Sequence, residues 1–160
     1  MNVEYKIYEM RLKDQGKELF REELEVLRPY TIARDPNSTD NQLILIGKEY
    51  GEEKVRKTLP LKDSAVSRYA PAIKKYGSLI ITVFGDDSDL DIQLYSPSTT
   101  TFPVLVRYKD QIVGVPLGQT LSLKHEFGRL RNGFRVDLYI YRVSTDHYIG
   151  SIEVSDNERI

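Results

Sequence analysis

After Pro29 the chain settles into a rhythm that few folds accommodate. Short runs rich in β-branched and aromatic residues recur, each closed by Gly, Pro, Asp, Asn or Ser. "YTIARD", "QLILIG", "VSRYAPAI", "SLIITVF", "DIQLYS", "FPVLVRY", "QIVGVPLG", "TLSLKH", "FRVDLYIYRV" and "YIGSIEV" follow one another. Their spacing is about ten residues, the beat of strand–turn–strand units. The segments between them are turn formers such as "DPNSTDN" and "PSTTTFP", or the charged "KEYGEEKVRKT", which reads as a loop. This spacing argues against crossover helices. It predicts an all-β sandwich or barrel rather than βαβ units.

Residues 1–28 have a different texture. In "QGKELFREELEVLR" the residues Leu19, Phe20, Leu24 and Leu27 fall roughly on one helical face, and strong helix formers fill the gaps. A short N-terminal helical or extended segment is expected here, ended by Pro29. The sandwich domain is expected over 29–154, with 155–160 as a frayed tail. A chain of 160 residues with 40% hydrophobic content can bury one core without staples. It has no cysteine, which excludes disulfides, thiolate catalysis and Cys-ligated zinc. The net charge of −1 exerts no general pull on nucleic acids or acidic membranes. The longest apolar runs, Leu43 to Ile46 and Leu79 to Ile81, are far too short to span a bilayer. The expectation is a soluble cytoplasmic protein with neither membrane nor nucleic-acid partners. Eleven tyrosines, dense mixed charge and no cysteine would suit a thermophile.

The small net charge hides local imbalances. Lys54, Arg56, Lys57, Lys62, Arg68, Lys74 and Lys75 stand against Asp63 alone in one stretch. Lys124, His125, Arg129, Arg131 and Arg135 form a second, interleaved with Phe127 and Phe134 but without a single-strand-binding signature. Asp86, Asp87, Asp89 and Asp91 make an acidic run of opposite sign. Within the first basic stretch Ser67 and Arg68 sit together at a loop–strand junction. That pair offers a neutral donor beside a charge-assisted fork, a combination suited to a dianion.

The text around this pair, "LPLKDSAVSRYAPAI", resembles the forkhead-associated (FHA) domain family, whose members read phosphothreonine on a β-sandwich. "KDSAVSRYAPAI" is similar to that family's middle motif. "SPSTTTFPVLV" lies where its Asn-Gly loop falls, and "QIVGVPLGQTLSL" resembles the strand pair that follows. The likeness spans about residues 30 to 143. The family histidine falls on Ala70 and its Asn-Gly on Thr100-Thr101. Two segments compete for the family's Gly-Arg: "YTIAR", ending in Arg34, and "LILIGK", ending in Lys48. The resemblance implies that Ser67 and Thr99 donate hydroxyls to the phosphate and that Arg34 or Lys48 pairs with its charge. Arg68 would contact peptide backbone or phosphate, and Thr100 would replace the family asparagine. It implies a phosphorylated protein or peptide as partner, a protein kinase in the signalling context, and no catalysis, cofactor or metal. The bland reading is a degenerate FHA-like sandwich, in which Ser67 caps a turn and Arg68 covers strand surface.

A rival constellation points to an enzyme. "KKYGSLIITVFGDDSDLDIQLY" is similar to the minimal nucleotidyltransferase signature, with Gly77-Ser78 ahead of Asp89 and Asp91, and Asp137 as a third carboxylate for Mg²⁺. That chemistry wants the Gly-Ser amides at a helix N-terminus. Here they lead into a strand, so a hairpin turn at "GDDSD" is the simpler expectation. His125 and His147 have no ligand-like spacing and read as surface or packing residues.

Overall fold

The computed structural model describes residues 3–159 except 74, 86–88, 143 and 144. The strands are β1 (Val3–Asp14), β2 (Lys17–Glu23), β3 (Tyr30–Arg34), β4 (Gln42–Glu49), β5 (Glu52–Lys62), β6 (Tyr69–Ala70) and β7 (Lys75–Tyr76). They continue as β8 (Leu79–Phe84), β9 (Asp91–Ser96), β10 (Val104–Tyr108), β11 (Gln111–Gly114), β12 (Gln119–Ser122), β13 (Arg135–Ile140) and β14 (His147–Arg159). A single α-helix, α1 (Leu123–Phe127), and a short 3₁₀ turn at Pro71–Ile73 are the helical elements among the described residues.

Two six-stranded sheets carry the fold, with orders β11-β10-β13-β14-β1-β2 and β12-β9-β8-β3-β4-β5. Every paired strand in them runs antiparallel. The expected all-β sandwich is therefore the observed architecture. The cause is visible in β8, where Leu79, Ile81 and Val83 are buried and the residues between them are half-buried. That period of two turns one face of the strand toward a core. Met10, Val106, Leu138 and Ile152 of the first sheet share one buried cluster with Ile32, Leu45, Ile81 and Leu94 of the second. Along one flank, Arg56 of β5 donates to Glu22 of β2 at 2.9 Å and ties the two edge strands together.

Of the two expected forms, helical or extended, the N-terminal segment takes the extended one: β1 and β2 form a hairpin inside the first sheet. Phe20, Glu22 and Leu24 alternate inward, whereas Leu19 and Leu27 of the supposed helical face are exposed. The tail over 155–160 is not a frayed end through Arg159, because β14 pairs with β1 as far as the Val3–Arg159 position. "KEYGEEKVRKT" is a hairpin rather than a loop. Tyr50 (φ 53°) and Gly51 (φ 80°) supply the two left-handed residues that a tight turn needs, and β5 returns along β4. "TLSLKH" is a strand only to Ser122, whose side chain caps α1 by accepting from the His125 amide at 3.1 Å.

The registers define two ends of the sandwich. Arg34 pairs with Leu43, Ile32 with Leu79, and Ile80 with Tyr95, so Arg34, the start of β8 and the end of β9 lie together. The 97–103 loop leaves from there to Val104, which pairs with Ile140. Tyr108 and Arg135 mark the other end.

Candidate anion site at one end of the sandwich

Arg34 closes β3 and meets the 63–68 segment edge-on. Its amide donates to the Ser67 carbonyl at 2.9 Å, and Arg34 and Arg68 form a parallel β-bridge. The Arg34 guanidinium is part-buried. Nε donates to the Val66 carbonyl at 3.1 Å and Nη1 to Asn41 Oδ1 at 3.1 Å. Arg68 is exposed. Neither arginine has a carboxylate ion-pair partner among the described residues. Burial first, and then the neighbouring Arg68 charge, hold the Arg34 guanidinium below its ordinary range. Two uncompensated like charges side by side create a field that an anion relieves.

Beneath them lies a ladder of buried hydroxyls. The Ser67 amide donates to Ser78 Oγ at 2.8 Å, Ser96 Oγ donates to the Ser78 carbonyl at 3.0 Å, and Thr100 Oγ1 donates to the Gly77 carbonyl at 3.2 Å. The Ser78 amide donates in turn to the Ile32 carbonyl at 2.9 Å. Gly77 makes this approach possible. Its φ is +94°, and a Cβ there would stand 2.6 Å from the Ile32 carbonyl oxygen. Ser67 Oγ is buried and has no hydrogen-bond partner among the described residues.

The residues named by the sequence are thus partly assembled. Arg34, Ser67, Arg68 and Thr100 belong to one network, and Thr99 is exposed on the adjoining loop. Lys48 is not with them. It lies five positions beyond Leu43 on β4, about 16 Å along the strand, so the spacing that favoured it is overridden by register. The basic stretch is dispersed as well. Lys54, Arg56 and Lys57 ride on β5, and Lys62 is paired with Asp40 at 2.7 Å. Lys74 lies outside the described residues.

A buried group that the sequence reading passed over braces this end. Asp63 is 3% exposed, and its carboxylate receives the Ala65 amide at 2.8 Å. It also pairs with Arg142, just past β13, and with His147 at the start of β14. Burial alone would raise its pKa. The Ala65 amide, His147 and Arg142 outweigh burial and leave the carboxyl below its usual range. The 63–68 turn is therefore fastened to the opposite sheet. Nothing local in "LKDSAV" signals this, because the partners lie far downstream.

Asp89 and Asp91 share Lys124, apart from Asp137. Asp91 accepts from Ser122 Oγ at 2.8 Å and from the Lys124 amide at 3.1 Å, while Asp89 pairs with the Lys124 ammonium. Asp137 is on the other sheet, bound to Arg135 at 2.9 Å. Asp86 and Asp87 lie outside the described residues. Gly77-Ser78 enter a strand, and β8 turns back as β9 in a hairpin. Among the described residues no three acidic or histidine side chains are grouped to hold a metal. Among the described residues no helix is long and apolar enough to cross a membrane. No protein-family model, curated protein or solved structure matches the chain.

Proposed function

We propose that this chain is a non-enzymatic phosphothreonine-peptide reader of FHA type, acting as a protein-interaction module in kinase-dependent signalling. The observation that supports it is the bridge between Arg34 and Arg68, two neighbouring cations without a carboxylate partner among the described residues, at the end of the sandwich that also bears Thr99. A phosphate dianion would neutralise both and gain bidentate, charge-assisted hydrogen bonds. Arg68 and Thr99 are the exposed members and would meet the phosphate first. Arg34, already bound to Val66 and Asn41, would act from behind as a fixed charge.

A second reading rests on the burial of Ser67 Oγ and the commitment of Thr100 to Gly77. Thr100 Oγ1 is spent within the fold and Ser67 Oγ is shielded from a partner, as suits a sandwich that binds without regard to phosphorylation. Titration against an arrayed phosphothreonine peptide library and its unphosphorylated twin separates the two. The phosphopeptides alone are expected to bind. Arg68→Ala is expected to weaken that binding about 10- to 100-fold, the value of a charged hydrogen bond. Lys48→Ala should leave it unchanged. Equal affinity for the unphosphorylated twin would favour the second reading, and no binding to either would sink the first.

A further inference from the structure

A second cationic cleft opens at the other end of the sandwich, where β10 ends and β13 begins. It encloses about 380 Å³, within the range of small-molecule sites. Four of its eight lining residues, Lys109, Arg129, Arg131 and Arg135, are cations and none is acidic. Arg135 is already engaged by Asp137 at 2.9 Å and by Glu153 at 3.8 Å, so its charge is largely spent. Lys109, Arg129 and Arg131 have no carboxylate partner among the described residues. Asp110 and Glu126 line the adjoining cleft without pairing to them.

The wall that carries these charges is fixed. The Phe134 amide donates to the Arg131 carbonyl at 3.0 Å, the Gly133 amide to the Val154 carbonyl at 2.8 Å, and the Val154 amide to the Phe134 carbonyl at 2.9 Å. The floor is aromatic: Tyr108 stacks on Phe134 with centroids 5.1 Å apart and meets Phe127 at 4.9 Å. Lys109 Nζ stands 5.2 Å from the Tyr108 centroid. With those neighbours around it, Tyr108 offers little open ring to a stacking base. Recognition must come from charge, concentrated on a compact ligand.

We propose that this cleft binds a small polyphosphate anion, either free or as the phosphate tail of a nucleotide, through Lys109, Arg129 and Arg131. It is independent of the Arg34–Arg68 site, which lies at the opposite end of the strands.

Calorimetric titration of the full chain with tripolyphosphate, ATP and adenosine tests the assignment. Tripolyphosphate and ATP are expected to bind and adenosine is not. An Arg129→Ala/Arg131→Ala double variant should lose about tenfold or more in affinity. Arg68→Ala should lose none, which keeps this test separate from the phosphopeptide reading. Equal affinities assign the site to free polyphosphate, and tighter ATP binding assigns it to a nucleotide. Failure of both to bind overturns the proposal. So does an unaffected double variant, or capture of a single-stranded oligonucleotide without tripolyphosphate. Circular dichroism of the double variant guards against loss of fold.

Discussion

Asp63→Ala will destabilise the fold by about 3 kcal/mol at neutral pH, the scale of breaking a buried ion pair from one side. The carboxylate is buried, and three groups depend on it: the Ala65 amide, Arg142 and His147. Alanine leaves the Ala65 amide, Arg142 and His147 without the acceptor they share. The effect also has a sign in pH. A carboxyl held below its usual range in the folded state adds stability above its unfolded pKa of about 4. That contribution fades as pH falls through the lower folded value. Urea unfolding of wild type and Asp63→Ala at pH 7, 5 and 3 should therefore show a wide gap that narrows in acid. A gap that stays constant from pH 7 to 3 would mean that the charge on Asp63 does nothing for the fold. Asp63→Asn keeps the volume and the acceptor for Ala65, so it should recover part of the loss but none of the pH dependence.

Gly77→Ala should be at least as damaging, about 3 kcal/mol or more, because two penalties coincide. A side chain at φ +94° is strained in any surroundings. Here the added methyl would also lie 2.6 Å from the Ile32 carbonyl oxygen and 2.8 Å from Ala33 Cβ. Backbone must move, and the backbone in question joins β3 to the start of β8. The Ser78–Ile32 and Thr100–Gly77 hydrogen bonds would be lost with it. Gly133→Ala is the control: its φ is +88°, but a Cβ there meets nothing within 4 Å. It should cost about 1 kcal/mol, the backbone term alone. Thermal melts that give the two variants the same loss would show that close packing at Gly77 is not what matters.

Much of the fold could be read from the chain because strands such as "SLIITVF" advertise a period of two and end in turn formers. β2 escaped for a specific reason. The inward positions of β2 and the residue that follows it are Phe20, Glu22 and Leu24, and a glutamate in the middle breaks the apolar alternation. Glu22 can be there only because Arg56 reaches across from the other sheet, and no local pattern carries that fact. β5 escaped because it is an edge strand, whose exposed charges read as a loop. At the anion site, "YTIAR" and "VSR" were legible as text. The choice between Arg34 and Lys48 was not, since it depends on which end of β4 faces the 63–68 turn. The brace of Asp63 by Arg142 and His147 spans nearly half the chain and left no trace in the local sequence.

The pairing of β1 with β14 has a consequence for the order of events during synthesis. Among the described strands, β1 is synthesised before the others and its sheet neighbour β14 after them. The other sheet is made entirely of strands that lie between them in sequence, so it can assemble while the rest is still being translated. The first sheet cannot close its centre until the final strand arrives. Until then the hydrogen-bonding edge of β1 that β14 will occupy stays open to other chains. Closing a loop of this length before any contact rewards it puts the protein among slow, non-local folders. The β1–β2 hairpin is therefore the described strand pair that waits longest for its neighbour.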